Sequence, residues 1–261
     1  MENSNQSYMD PNFVPEELRT PYDIIELPSQ GFLYKNKKSK IKVEYLTAMD
    51  ENILSSPNLS NNPDEMISTL LRRKVKDLDM DVDDLLVGDR LSILVFLRTT
   101  GLGEYYKQIV YDPDLGDFVE GEINLTELKQ KKLTIKPDEN GEFDYVLPNS
   151  KKKIKFKFLT AKDDKEIDLL DEQQMKRSKE RVSNKITLRL EKIIVEIDGE
   201  RDKIKLSNII KKLPLLDSRS LRNYIEKNEP GIDFNTTARI QGGGSVDCFL
   251  RLGRNFLWPE L

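Results

Sequence analysis

Two stretches of this 261-residue chain read almost alike. Lys40-Ile41-Lys42-Val43-Glu44-Tyr45-Leu46-Thr47-Ala48-Met49-Asp50 is echoed 113 residues on by Lys153-Ile154-Lys155-Phe156-Lys157-Phe158-Leu159-Thr160-Ala161-Lys162-Asp163, and seven of the eleven positions are identical. A second echo follows in the same order. Asp89-Arg90-Leu91-Ser92-Ile93 and Asp217-Ser218-Arg219-Ser220-Leu221 each stand ahead of an apolar run, 128 residues apart. Solenoids and propellers repeat every 20–50 residues or so, far shorter than this spacing. The pattern therefore predicts an internal duplication: two related α+β domains, each a small, mostly antiparallel sheet packed with helices. The expected boundaries are an extended or disordered arm over 1–22, a first domain over 23–135, a linker over 136–144 rich in Pro, Asn and Gly, and a second domain over 145–261.

Local patterns fill in each half. Residues 40–46 alternate charged side chains with Ile41, Val43 and Tyr45, the period of a strand with one buried face. Thr47 then reads as a helix N-cap with Asp50 three residues on, and Thr160 with Asp163 repeats the arrangement. Residues 64–78 read as a second helix. Residues 89–98 form the most apolar helix, capped by Asp89 and ended by Gly101 and Gly103. Tyr105 to Leu128 read as short strands with turns at Asp112-Pro113-Asp114 and at Gly121. Residues 171–192 read as one long charged helix carrying a narrow stripe of Val182, Ile186, Leu190 and Ile193, a seam for another subunit or for one-sided packing. A strand over 193–200 ends in an Asp-Gly turn, and helices over 204–213 and 217–228 flank Pro214. The last hairpin has its tip at Gly242-Gly243-Gly244. The terminal Asn255-Phe256-Leu257-Trp258-Pro259 segment either closes the second core or docks on a partner.

The chemical inventory is poor in catalytic groups. There is no histidine and one cysteine, Cys248. That removes the commonest general base, the commonest zinc ligand and any internal disulfide, and it fits a reducing compartment. Net charge is −4, against the basic field that nucleic-acid binding needs. Lys35–Lys42, Lys129–Lys132 and Lys151–Lys157 read as solvated faces. The polar start, Met1 to Asn12, has no signal-peptide core, and no stretch is long and apolar enough for a membrane span. Asp112, Asp114 and Asp117 lack the spacing of a calcium loop, and Gly242–Gly244 lacks the Lys and helix of a phosphate loop. We expect no catalytic residue, no metal and no cofactor. A remote alternative is an enzyme working through Asp50 with Glu51 or Asp163 with Asp164.

A resemblance emerges from Leu27-Pro28-Ser29-Gln30-Gly31 with Tyr34, Leu46-Thr47-Ala48-Met49-Asp50-Glu51, Asp83 to Arg98, Gly101-Leu102-Gly103-Glu104-Tyr105-Tyr106, Glu229-Pro230-Gly231-Ile232-Asp233 and Asn255 to Pro259. Together they resemble the baseplate hub proteins of T4-like contractile-tailed bacteriophages. The resemblance implies a structural protein made in the host cytoplasm and built into the virion tail baseplate. Its partners would be other baseplate and hub proteins, with copies of itself in a ring as a further partner, and neither nucleic acid nor membrane. A transient assembly chaperone is the alternative. The family pattern also places Cys pairs in the hairpins. The matching stretches here, Tyr111 to Gly116 and Ile240 to Gly244, hold none, so packing alone must hold the hairpins. The candidate interface residues are Phe13 and Val14 in the arm, Val182 and Ile186 on the helical stripe, and Phe256 and Trp258 at the end.

Overall fold

The computed structural model describes residues 20–59, 62–178, 182–253 and 256–257. Strand β1 (Tyr22–Glu26) turns back into β2 (Lys40–Glu44), whose Ile41 and Val43 point inward between charged neighbours. Helices α1 (Ala48–Leu54) and α2 (Pro63–Lys74) follow, and the short β3 (Val75–Lys76) returns to pair with β2. A 3-10 turn (Val82–Asp84) leads into α3 (Val87–Leu102), and a long hairpin of β4 (Tyr105–Asp112) and β5 (Asp117–Asn124) comes next. After the short β6 (Gln130–Lys131) the order resumes. Strands β7 (Phe143–Val146) and β8 (Lys153–Phe156), helices α4 (Ala161–Arg177) and α5 (Lys185–Ile193), and β9 (Ile194–Ile197) run in turn. Helices α6 (Lys203–Ile210) and α7 (Leu215–Asn228), short β10 (Gly231–Ile232) and the hairpin of β11 (Asn235–Ile240) and β12 (Ser245–Phe249) complete the chain.

The protein is thus α+β, with seven helices and four small antiparallel sheets among the described residues. The first half runs strand, strand, two helices, strand, helix, hairpin, and the second runs strand, strand, two helices, strand, two helices, hairpin. The sheets β1-β2-β3 and β7-β8-β9 correspond in order, and the two hairpins share one sheet, β12-β11-β5-β4.

The halves are joined closely. Side chains from both, Leu27, Leu97, Phe156 and Leu221 among them, belong to one continuous apolar core. Helix α3 lies near its centre, with Ile93 and Leu97 fully buried. Its first turn admits the backbone of the second half, since a Cβ on Gly88 would stand 1.8 Å from the Pro230 carbonyl oxygen. Where the hairpins meet, Glu122 and Gly121 of β5 pair with Arg239 and Ile240 of β11. A Cβ on Gly121 would lie 2.8 Å from Val110 and 2.9 Å from the Ala238 Cβ, so the crossing requires glycine.

Three sequence expectations are corrected. Gly121 is not a turn but a strand residue at this close crossing. The helix expected over 171–192 is two helices. Asp171 on α4 accepts hydrogen bonds from the Ser183 hydroxyl (2.7 Å) and the Asn184 N–H (2.7 Å), tying down the start of α5. Ion pairs Asp168–Lys185, Asp164–Arg189 and Asp163–Lys192 then run in opposite directions along the two helices, as an antiparallel helical hairpin requires. Asp89 does not cap α3, because Leu86 occupies that position and the Asp89 carboxylate turns into the core.

Candidate interaction surfaces

Polar side chains at the helix starts are committed to holding the fold. The Asp50 carboxylate accepts from the N–H and the hydroxyl of Thr47 (2.8 and 2.9 Å) and pairs with buried Lys74 at 2.7 Å. Burial raises the Asp50 pKa, but the bonds from Lys74 and Thr47 outweigh it and hold the group below its ordinary value. In the second half Asp163 and Thr160 form the matching capping box, and Lys157 pairs with Asp163 at 2.9 Å. Of the carboxylates weighed as catalytic candidates, Asp50 and Asp163 are therefore capping groups engaged with a lysine, and Asp164 pairs with Arg189.

Asp89 and Asp217 play a second matched part. Each is fully buried in the first turn of its helix and reaches back to the turn between the first two strands of its own half. Asp89 accepts from the Ser29 N–H (2.9 Å), the Ser29 hydroxyl and the Tyr34 hydroxyl, whose oxygen accepts from the Leu86 N–H (3.0 Å). Asp217 accepts from the N–H groups of Asn149 (2.7 Å) and Ser150 (3.0 Å). The turns so held are Leu27-Pro28-Ser29 and Leu147-Pro148-Asn149. Burial pushes the Asp89 pKa up despite its three bonds, whereas the backbone donors around Asp217 overcome burial and hold it down.

A charged network crosses between the halves. Asp83 receives Arg72 (2.7 Å), Arg90 (3.1 Å) and Ser68 (2.6 Å) from the first half and Lys165 of α4 (2.8 Å) from the second. Lys165 also reaches Ser68 (2.7 Å) and Glu65 (3.2 Å). Burial alone would raise the Asp83 pKa, but the bonds from Lys165 and Ser68 and the nearby cations lower it.

The candidate interface residues fall in different places. Phe13, Val14 and Trp258 lie outside the described residues. Val182 and Ile186 are exposed, at 58% and 55%, while Leu190 and Ile193 turn into the core. The four do not form one stripe, because Val182 precedes α5. Phe256 is only 2% exposed and meets Tyr106 of β4 edge-on, with ring centroids 5.2 Å apart. It packs against the first half's hairpin, so the surface it offers is internal. Exposed Leu169, Ile204, Leu215 and Leu216 add apolar area to the second half.

The hairpins are held by more than packing. The Gln108 amide on β4 donates to the Phe249 carbonyl (3.0 Å) and accepts from the Arg251 N–H (3.1 Å), bridging the sheet's two outer strands. At the first hairpin's tip Asp112 accepts from the N–H groups of Asp114 and Leu115, which makes it a turn residue. Neither tip offers a metal a thiolate pair, and among the described residues no group of three or more Asp, Glu or Cys is placed to hold a metal ion. No helix among them is long and apolar enough to cross a membrane.

One surface was missed from the sequence. The outer face of the β4–β5 hairpin exposes Ile109 (62%), Tyr111, Leu115 and Phe118 (68%), with Tyr111 and Phe118 directly paired across the strands. The available signal was apolar residues on both faces of one strand, Tyr105-Tyr106 and Ile109-Val110-Tyr111, where a hairpin has only one face to bury.

Among the described residues the polar side chains brace the fold, and several large apolar side chains stand exposed on outer faces. The sequence pattern of the family described as T4 bacteriophage base plate protein matches residues 23–240, most of the chain. The chain belongs to that family, and a structural role in a phage baseplate follows from it. The match ends before the Asn255–Pro259 segment. No curated protein and no solved structure matches the chain.

Proposed function

We propose that this chain is a structural component of the hub region of a contractile phage tail baseplate, acting in tail assembly through protein–protein contacts. The family match over residues 23–240 carries the reading. It is supported by exposed apolar side chains at several separate places, Ile109 and Phe118 on the hairpin, Val182 and Ile186 beside α5, and Leu215 and Leu216 on α7. Surfaces of this kind are where partner proteins dock. In this reading Val182 and Ile186 belong to one interface, and the arm with Phe13 and Val14 and the end with Trp258 supply others.

The two halves are proposed to descend from one duplicated unit. The similar element order, the paired capping boxes of Asp50 and Asp163 and the paired turn clamps of Asp89 and Asp217 support this. A duplicated unit offers two similar but unequal contacts from one chain.

The test is a phage in which this gene is silenced. Tail preparations should lack complete baseplates by electron microscopy, and supplying the chain in trans should restore them. Infectious particles with normal baseplates in its absence would refute the role.

A further inference from the structure

The β4–β5 hairpin is as distinctive in charge as in apolar exposure. From Gln108 to Leu128 there are six acidic residues and no lysine or arginine. Asp114 and Asp117 are exposed beside Leu115 and Phe118, and neither they nor part-buried Glu122 enters an ion pair among the described residues. Elsewhere the molecule carries the opposite combination. Between Leu27 and Val43 there is no acid, and Lys35, Lys37, Lys38, Lys40 and Lys42 follow one another in the β1–β2 turn and strand. None of these five is ion-paired among the described residues. Exposed Phe32 and Ile24 stand with them, Ile24 directly opposite Lys42 across the strand pair, and Lys42 lies over the Tyr22 ring at 3.7 Å. Each surface is an apolar centre with an excess of one sign around it: Lys107, paired with Glu120, is the one cation on β4 and β5, while Asp23, Glu26 and Glu44 are outnumbered by the five lysines on the β1–β2 hairpin. No hydrogen bond or ion pair between described residues joins the two hairpins within the chain.

We infer that the acidic β4–β5 hairpin of one molecule docks on the basic β1–β2 hairpin of a second copy, a head-to-tail contact between two different faces. This names a partner for the assembly role proposed above and rests on it. The occupant is argued from charge complementarity. Carboxylates on the one hairpin and ammonium groups on the other that enter no ion pair among the described residues are opposite in sign, and each set flanks exposed aromatic and aliphatic side chains. Opposed potentials of this kind steer association and set orientation. Two unlike faces per subunit also have a geometric consequence: the contact closes into a ring if the rotation per subunit allows it, and otherwise extends as a filament.

The experiment uses the purified full chain, its mass followed by light scattering and sedimentation across concentration and salt. Association should rise with protein concentration and fall as salt screens the contact. Two charge-reversed variants are compared. The acid face is changed by Asp114→Lys, Asp117→Lys and Glu122→Lys, and the basic face by Lys35→Glu, Lys38→Glu and Lys40→Glu. Among the described residues none of these side chains is in an ion pair, and circular dichroism checks that each variant is folded. Each alone should be monomeric at concentrations where the native chain associates, and mixing the two should restore association because the reversed charges are again complementary. A native chain that stays monomeric at low salt and at its solubility limit overturns the inference. So does association that either variant leaves unchanged, or a mixture that stays monomeric. Baseplate defects on silencing the gene would stand under any of these results, so failure here is separable from failure of the assembly role.

Discussion

Asp89 shows how much depends on a single carboxyl group. Among the described residues it has no cation as a partner; it is fully buried and is the common acceptor for Ser29 and Tyr34. Removing it leaves two hydroxyls and an N–H in a dry site, each costing on the order of 1–3 kcal/mol when unsatisfied. Asp89→Ala should therefore lower unfolding stability by about 3 kcal/mol in urea titration, and Asp89→Asn, which keeps an acceptor oxygen, by less. Glu229 gives a pH test. Burial is the main cause raising its pKa from 4.5 to about 7, with Arg189 and Lys131 opposing the shift and Asp164 and Glu226 adding to it. A carboxyl whose folded pKa exceeds its unfolded one binds more protons when folded, so its contribution is greatest below pH 4.5 and is lost as pH rises to about 7. Glu229→Gln has no proton to lose. Its stability relative to the native chain should rise steadily between pH 4.5 and 7, and a constant difference across that range would show that Glu229 titrates normally.

At the scale of elements, much was legible because the signals were local. The strand alternation at 40–46, the Thr–x–x–Asp boxes and the Asp198-Gly199 turn, with φ of 51° and 86°, need only neighbours in sequence to act. The failures have non-local causes. The break between α4 and α5 is marked by Asp171 reaching Ser183 and Asn184, a contact between residues over ten positions apart. Gly121 reads as a turn until Ala238, more than a hundred residues away, is seen against it. Asp89 and Asp217 match in sequence as helix-start acids, but what they hold, the turns at Ser29 and Asn149, is visible only in three dimensions. Two substitutions probe these joins. Gly121→Val should cost about 2 kcal/mol by crowding Val110 and Ala238. Asp171→Ala should cost about 1 kcal/mol by uncapping α5. Both are read by chemical denaturation.

The whole molecule is two halves of similar order locked through a shared core, a shared sheet and the Asp83–Lys165 network. Its interior is given to bracing, and its contact chemistry is displaced to the periphery, as expected of a part in a larger assembly. The interface residues read from sequence illustrate the limit of that reading. Apolar character at a chain end does not distinguish Phe256, which folds back onto Tyr106, from a side chain kept for a partner. Exposure of an apolar strand face, as at Ile109 and Phe118, is decided by which other strands cover it. The central claim, that this chain is a permanent part of the baseplate, is tested most directly by quantitative mass spectrometry of purified phage tails. The account predicts the chain there in several copies per tail, in fixed ratio to other baseplate proteins. Abundant chain in infected-cell extracts with none in the tails would contradict it.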